Sequence, residues 1–542
     1  MEKEPELDTD LEQSSLQEAI ALHRQGRLPR AEAVYRRLLT ADADHLDALH
    51  LYGVLCHQTG RLSEARALIE RALVLKNDWP DAHNNLALVL EAQGEEEAAL
   101  RHYRRALALA PDHVQALTNL GGLYRKQGRW EEGRRCFEKA LQRAPGSAPV
   151  LNNLSVVALE ACQPEQAADY AEQALAVAPD LVDAHLNLAN ARKNLRDFQG
   201  SLEALNRAVM LAPDHVMARW NRALLLLLLG PDEQAWAEYD WGLASPAFRY
   251  RRDFGCPVWG GEPLGGRTLL VYGEQGVGDE VFFLRYVSVL VKCAQTVIVD
   301  CDRRLVRLLQ RRWPELYVHG GGRHDSLDWL KAYPRPDWQI PLGSLPRRVK
   351  VDPPKQGYLS PNRTLVTVMA DRLAQLGPGL KVGISWRGGA HQRARSTRSV
   401  PLLQWAEMLR RPDVHFVNIQ YGDWQEEVSA CGEAGCRLVT WPDINPLVDL
   451  ESFAALLVNL DLVISVDNST VHLAGALGVP TWVLVPATPD WRWGTDGETT
   501  PWYETLTLFR QTQVGQWQAV IAAVNQRLSE WRGRPSGRSA HR

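Results

Sequence analysis

Cysteine is scarce in this chain: there are eight in 542 residues, none in a CxxC pair, and only Cys431 and Cys436 lie close together. That excludes a zinc knuckle and a disulfide-stapled scaffold, and the thiols read as reduced. Long hydrophobic runs are missing too. The longest, six leucines from Leu224 to Leu229, falls far short of the roughly 20 residues that a membrane-spanning helix needs. It reads as a buried helix of a soluble fold. The opening MEKEPELDTDLEQ is acidic and lacks the basic start and apolar stretch of a secretory leader, so a cytoplasmic protein is expected. No excess of one charge exists either. Lys and Arg total 61 against 65 Asp and Glu, a net charge of −4, so no global field attracts nucleic acid phosphates. What remains is an ordinary soluble composition, 45% apolar and 23% charged, over a length that implies about two to four domains.

The first half repeats. Pro111, Pro145, Pro179 and Pro213 stand 34 residues apart, each at the end of an alanine-rich helical pattern. In the same frame Gly26, Gly60, Gly94, Gly128 and Gly230 mark tight turns between helices. Ala31, Ala65, Ala99, Gly133, Ala167 and Ala235 follow five positions later, where small side chains allow close helix approach. Ala72, Ala106, Ala140, Ala174 and Ala208 close the second helix of each unit. This pattern resembles the tetratricopeptide repeat, in seven frames over 12–249 behind an acidic tail at 1–11, and it implies an α-solenoid that binds peptides or partner helices. Asn85, Asn119, Asn153, Asn187 and Asn221 recur at one place in five successive frames. Such a ladder of amides can pair with the main chain of a bound acceptor protein; equally, these asparagines can bond locally within the repeats.

From Ser245 to Arg267 the 34-residue phase is lost in a stretch rich in Pro, Gly and Arg, read as a linker at 250–267. Short apolar runs then alternate with helical stretches: TLLVY (268–272), TVIVD (296–300), KVGIS (381–385), HFVNI (415–419), LVISV (462–466) and TWVLV (481–485). Strand, helix, strand in this order predicts parallel α/β structure. A hinge near Pro353–Pro361 divides it into two Rossmann-like lobes, 268–360 and 361–532, before a basic tail at 533–542 that is expected to be disordered.

The first strand runs into GEQGVGDE, Gly273–Glu280. Its glycine order is GxxGxG, not the GxGxxG of dinucleotide sites, and it lacks the Lys-Ser/Thr of a P-loop, so neither NAD nor ATPase chemistry is supported. Asp279, at a strand-to-helix turn, is the candidate general base, with Glu274 a weaker one. The second lobe carries LVISVDNSTVHLAG, which places Asp467, Asn468, Ser469 and Thr470 at the carboxyl end of a strand, where open α/β sheets bind ligands, with His472 in the following helix. Trp491 and Trp493, just past TWVLV, fit either a sugar-pocket wall or core packing. Asp300 and Asp302 superficially resemble a DxD metal motif but read better as strand-terminal acids.

Together these segments resemble the family 9, ADP-heptose type glycosyltransferases, over about Arg267–Arg532. The resemblance implies a GT-B fold with the acceptor on the first lobe and the nucleotide sugar on the second. It implies that Gly278 and Asp279 stand at the family's GD pair, with Asp279 as catalytic base. Asp467, Asn468, Ser469 and His472 correspond to the family's D-T-G-x-x-H donor segment, with Asn and Ser in place of Thr and Gly. Arg398, where a lysine is common, and Arg387 are the implied phosphate contacts, and Gly276 and Ser385 join the donor site. No metal and no cofactor are expected, because built-in guanidinium groups neutralise the diphosphate and the nucleotide sugar is a co-substrate. The combination looks like protein O-glycosyltransferases, whose acceptors would be flagellin or another surface protein. Two alternatives stand beside it: transfer to lipopolysaccharide or another glycan, and a non-catalytic scaffold with a degenerate transferase fold.

Overall fold

The computed structural model describes residues 5–322, 325–388, 397–531 and 533. The chain divides into two compact units, Met1–Leu211 and Ala212–Arg542. Of the acidic opening expected at 1–11, residues 1–4 lie outside the described part and the rest begins the helix Pro5–Arg24. The basic tail lies outside it except for Gly533.

In the first unit the described residues form twelve helices between Pro5 and Leu211, packed in sequential pairs. The proline frame does what its chemistry requires. Helices end at Leu109, Arg143, Val177 and Leu211, each two residues before a proline that cannot continue the hydrogen-bond ladder. Ala31, Ala65, Ala99 and Ala167 are fully buried, as are Ala72, Ala106, Ala140, Ala174 and Ala208. At Gly133 a side chain would have no room, since a Cβ there would stand 3.0 Å from the Gly121 carbonyl oxygen. Gly26, Gly60, Gly94 and Gly128 turn the chain with φ of +72°, +76°, +81° and +73°. The next two frames keep the turn without the glycine: Cys162 and Arg196 take φ of +57° and +63°. The 34-residue repeat therefore fixes the backbone even where its preferred residue is absent.

The second unit opens with one more helix pair, Val216–Leu229 and Glu233–Tyr239, and a 3-10 turn, Asp240–Ala244. The leucine run lies in the first of these helices, and no described helix is long and apolar enough to cross a membrane. Two all-parallel sheets follow. The first holds β1 (Thr268–Tyr272), β2 (Thr296–Cys301), β3 (Tyr317–Gly320) and β4 (Trp338–Pro341) in the order β3-β2-β1-β4. The second holds β5 (Leu380–Ser385), β6 (Val414–Asn418), β7 (Leu438–Val439), β8 (Leu462–Val466), β9 (Thr481–Val485) and β10 (Leu506–Arg510) in the order β10-β9-β8-β5-β6-β7. The α-solenoid and the α/β region are thus both present. β3, β4, β7 and β10 escape the sequence reading because they are short or mixed in polarity; YVHG and WQIP do not look like buried strands. Each sheet changes direction once, between β1 and β4 in the first and between β5 and β8 in the second. The carboxyl ends of strands flanking such a switch leave the crevice in which open α/β sheets bind ligands.

One thiol expectation is corrected. Cys431 and Cys436 are joined in a disulfide, with Cα atoms 5.4 Å apart. The helix Gln425–Glu433 ends in a left-handed Gly435 that folds the chain back, so that Cys436 N donates to Cys431 O. Spacing alone did not reveal that turn. The other six cysteines are free.

Relieving a side chain from the left-handed region is worth about 1 kcal/mol. Replacing exposed Cys162 by glycine is therefore expected to stabilise the repeat unit by about 0.5–1 kcal/mol, read as a higher denaturation midpoint.

Candidate active site

At the first switch point Glu274 leaves β1 and is consumed by structure. Its Oε1 accepts from Arg249 Nη2 at 2.9 Å, from Gly343 N at 3.0 Å and from Gln275 Nε2 at 3.1 Å. Burial raises its pKa against the pull of the Arg249 guanidinium. With that oxygen committed, Glu274 ties the end of β1 to the turn after β4. Asp279 differs. It lies in the first turn of the helix Val277–Phe283, Oδ2 accepts Gly276 N–H at 3.2 Å, and its side chain keeps 31% of its exposure. Beside this switch point, the ends of β1 and β4 border a cavity of about 440 Å³ lined by Tyr272, Pro341, Trp241, Trp259 and Arg347.

At the second switch point Ser385 ends β5 and Asn468 follows β8. Asn468 Nδ2 donates to Ser385 Oγ at 2.8 Å and to Arg387 O at 3.0 Å, while its Oδ1 caps the helix Ser469–Leu477 by accepting Thr470 N–H. Ser385 in turn donates to Gln420 Oε1, which also accepts the Trp386 and Arg387 N–H groups. These residues hold the crevice in shape. Arg387 is ion-paired with Glu427 at 3.1 Å. Arg398 Nη1 stands 3.5 Å from Asp467 Oδ2, and that oxygen and Trp493 Nε1 have no hydrogen-bond partner among the described residues. Burial raises the Asp467 pKa, and Arg398 opposes the shift.

The two helices that follow these switch points meet. A Cβ on Gly278 would stand 3.3 Å from Ser469 Cα and 3.3 Å from His472 Cδ2, so glycine is what allows the approach. His472 is buried, its Nδ1 lies 3.0 Å from the Tyr503 hydroxyl, and its ring stacks on Trp493 at 5.5 Å. Burial, reinforced by Arg492, drops its pKa well below the usual range, so the imidazole is neutral. Gly276, Gly278 and Asp279 of one lobe thus come together with Ser469 and His472 of the other, and Asn468 links this junction to Ser385.

At the centre lies Arg492, which sequence reasoning passed over between two tryptophans. Its Nη2 donates to Asp279 Oδ1 at 2.5 Å and its Nη1 to Asp490 Oδ1 at 2.9 Å. Burial disfavours its charge, but Asp490 and Asp279 outweigh that and raise its pKa. Trp491 and Trp493 are buried: Trp491 packs against Phe282 at 5.4 Å and Trp236 at 5.5 Å, so it is core. The only signal for Arg492 was a lone charge in an aromatic stretch. Asp300 is ion-paired with Arg252 and Asp302 with Arg304.

In the solenoid, Asn85 Nδ2 bonds His50 Nε2, Asn119 Nδ2 donates to Asn84 Oδ1 at 2.9 Å, and Asn187 Nδ2 to Asn152 Oδ1 at 2.8 Å. Each reaches back 35 residues into the preceding frame. Asn153 and Asn221 make no such bond among the described residues, and all five asparagines are half-buried.

Beside Asp279, burial pushes the Glu280 carboxyl up to about 8, and only the Asp302 N–H, at 2.7 Å, favours its charge. The folded chain therefore keeps a proton that the unfolded chain releases above about pH 4.5, so stability falls as pH rises from about 4.5 to 8, by up to about 1.4 kcal/mol per unit. Glu280→Gln is expected to remove that loss. Its stability relative to the natural chain should grow between about pH 5 and 8 in urea titrations, with little difference at the acid end.

Comparison with known proteins matches each half to a different family. Tetratricopeptide repeat models match residues 16–82, 80–113, 112–180 and 186–240. The model of glycosyltransferase family 9 (heptosyltransferase) matches 425–525, which contains Asp467, Asn468, Ser469, His472 and Arg492. Protein FlbA of Caulobacter vibrioides is 32% identical over 332 residues, 58% of this chain and 55% of FlbA, so the chain spans about half the length of that relative. Among solved structures, similar chains include the APC/C hetero-tetramer Cut9-Hcn1 (18% identity, 42% of this chain and 45% of that one, TM-score 0.39). PilF of Pseudomonas aeruginosa is similar at 25% identity, over 37% of this chain and 89% of that one, with a TM-score of 0.34. The chain thus carries segments that match tetratricopeptide repeats between 16 and 240 and a later segment, 425–525, that matches glycosyltransferase family 9.

Proposed function

We propose that this chain transfers a sugar from a nucleotide-sugar donor to a hydroxyl of an acceptor, a protein recruited by the repeats. The observation that carries the reading is the convergence of Asp279, the junction of the two lobes and the Arg398–Asp467 pair at the carboxyl ends of both switch points. Asp279 Oδ2 takes the proton of the acceptor hydroxyl, whose oxygen then attacks the anomeric carbon. The bond from that carbon to the diphosphate breaks, and its electron pair leaves with the diphosphate. Arg398, one-third exposed and facing Asp467, stabilises that departing charge. Arg387 is the second cation, though Glu427 already holds it. Asp467, buried opposite Arg398, sets the position and charge of that guanidinium at the donor end of the crevice. Neutral His472 shapes the pocket and adds no charge. In this scheme the cation is part of the chain, no metal carries a step, and GT-B closure of two lobes excludes water.

Asp279→Asn is expected to retain donor binding but to lower transfer by about a hundredfold or more. Arg398→Ala should weaken donor binding by about tenfold or more, as loss of a charge-assisted bond worth about 1.5–3 kcal/mol implies. EDTA should leave turnover intact. Glycoproteomic comparison of cells with and without the gene identifies the acceptor, and normal transfer by Asp279→Asn would remove that residue from the mechanism.

A further inference from the structure

The transfer scheme gives Arg492 no part, yet its bonds divide between the two sides of the crevice. It lies in the turn Trp491–Trp493 after β9, where Asp490 Oδ1 accepts its main-chain N–H at 3.1 Å and its Nη1 at 2.9 Å. Its Nη2 crosses to Asp279 Oδ1 at 2.5 Å, over a sequence separation of 213 residues. The side chain is 5% exposed, and its guanidinium lies over the rings of Trp491 and Phe282 at 4.2 and 4.8 Å. One edge of the fork is thus fixed by its own loop and its faces by aromatic rings, so the direction in which Nη2 points is set by the second lobe.

The two oxygens of Asp279 therefore answer to different lobes. Oδ2 accepts Gly276 N–H at 3.2 Å, at the long end of the hydrogen-bond range and from its own loop. Oδ1 takes the shorter, charge-assisted bond from the second lobe. The terminal torsion of an aspartate is broad and roughly two-fold, so one long bond does not hold the carboxylate plane. With Arg492 on Oδ1 the plane is fixed, and Oδ2 is the oxygen left with a lone pair for a proton. Parting the lobes by about 1.5 Å takes the Arg492 bond out of hydrogen-bonding range.

Other bonds between the lobes touch no reacting group. Arg311 Nη1 and Nη2 donate to the two oxygens of Glu451 at 2.9 and 2.7 Å, and Arg285 Nη1 donates to Trp502 O at 2.6 Å. These hold the lobes together whether or not Arg492 is present. Arg492 is the tie that ends on the candidate base.

We infer that Arg492 is a positioning residue that aims Asp279 only while the two lobes are together, so that proton transfer waits on the closed crevice. It touches neither substrate and acts through Asp279. The inference rests on the reading of Asp279 as the base. A donor held between parted lobes then faces an unaimed carboxylate, which protects it from attack by water until the acceptor is enclosed with it.

The test uses the full chain, with an extract of cells lacking the gene as the source of both substrates and glycopeptide formation as the signal. Arg492→Lys keeps the charge and loses the fork. It is expected to lower the rate at saturating extract by about tenfold or more, with the half-saturating extract concentration changed by less than about twofold. Asp279→Asn combined with Arg492→Lys should be no slower than Asp279→Asn alone, because nothing is left to position. Losses that multiply would overturn the inference and make Arg492 a structural ion only. A raised half-saturating concentration with an unaltered maximal rate would assign Arg492 to donor binding and overturn it as well. If Arg492→Lys melts early, Asp490→Asn takes its place in the same cycle, since it frees the fork from its own loop and leaves Asp279 its partner. Should the natural chain form no glycopeptide, the transfer reading alone fails, and amide hydrogen exchange decides the tie. Exchange at 276–279 about tenfold faster in Arg492→Lys, with none of that change around Arg311 and Glu451, supports it; unchanged exchange at 276–279 removes it.

Discussion

Burying a guanidinium costs its hydration, a cost that neighbouring acceptors must offset, and Arg492 is such a guanidinium. It answers the constraint with Asp490 from its own loop and Asp279 from the opposite lobe. One buried cation therefore joins the two lobes and holds the candidate base. Its flat faces lie against Phe282 and Trp491, with the guanidinium carbon 4.8 and 4.2 Å from the ring centres. This aromatic sleeve extends to Trp236 on the last helix pair, whose ring meets Phe283 and Trp502. The same helix offers the Tyr239 hydroxyl to Gln275 at 2.9 Å. The helices Val216–Leu229 and Glu233–Tyr239 are repeat-like in sequence, yet they pack as part of the α/β unit.

A second buried arginine solves the same problem behind the first sheet. Arg249, fully buried, bonds Glu274, Asp240, Ser344 and the Tyr239 carbonyl. It thereby fastens the turn after the last helix to the ends of β1 and β4. Sequence gave no reason to separate Arg249 from its neighbours in RYRR, which share its charge and not its burial. The segment read as a linker, 250–267, also contains buried Phe254 and Trp259: Phe254 packs on Tyr272 and donates its N–H to Gln339 Oε1, and Trp259 Nε1 donates to Glu262 O.

The legible parts were those with a period or a bounded apolar run. The 34-residue frame put the helix ends just before the recurring prolines, and six of the ten strands in the described residues were visible because they are largely buried. The short strands β3, β4 and β7 were not, because their placement comes from pairing with neighbours and not from local preference. Asp279, Asp467 and His472 could be found because they sit beside strand ends. Arg492 and Gln420 could not, since what distinguishes them is long-range partnership at sequence separations that no local pattern records.

The amide bonds between successive frames also give the first unit a mechanical grain. Asn85 and Asn119 each clamp a frame to the one before it, beside turns that carry glycine. Asn153 makes no clamp, and the turns at Cys162 and Arg196 hold side chains in a conformation they resist. Asn187 then returns the bond to Asn152 across that same stretch, so the amide tie between frames is skipped at one frame and resumed in the next.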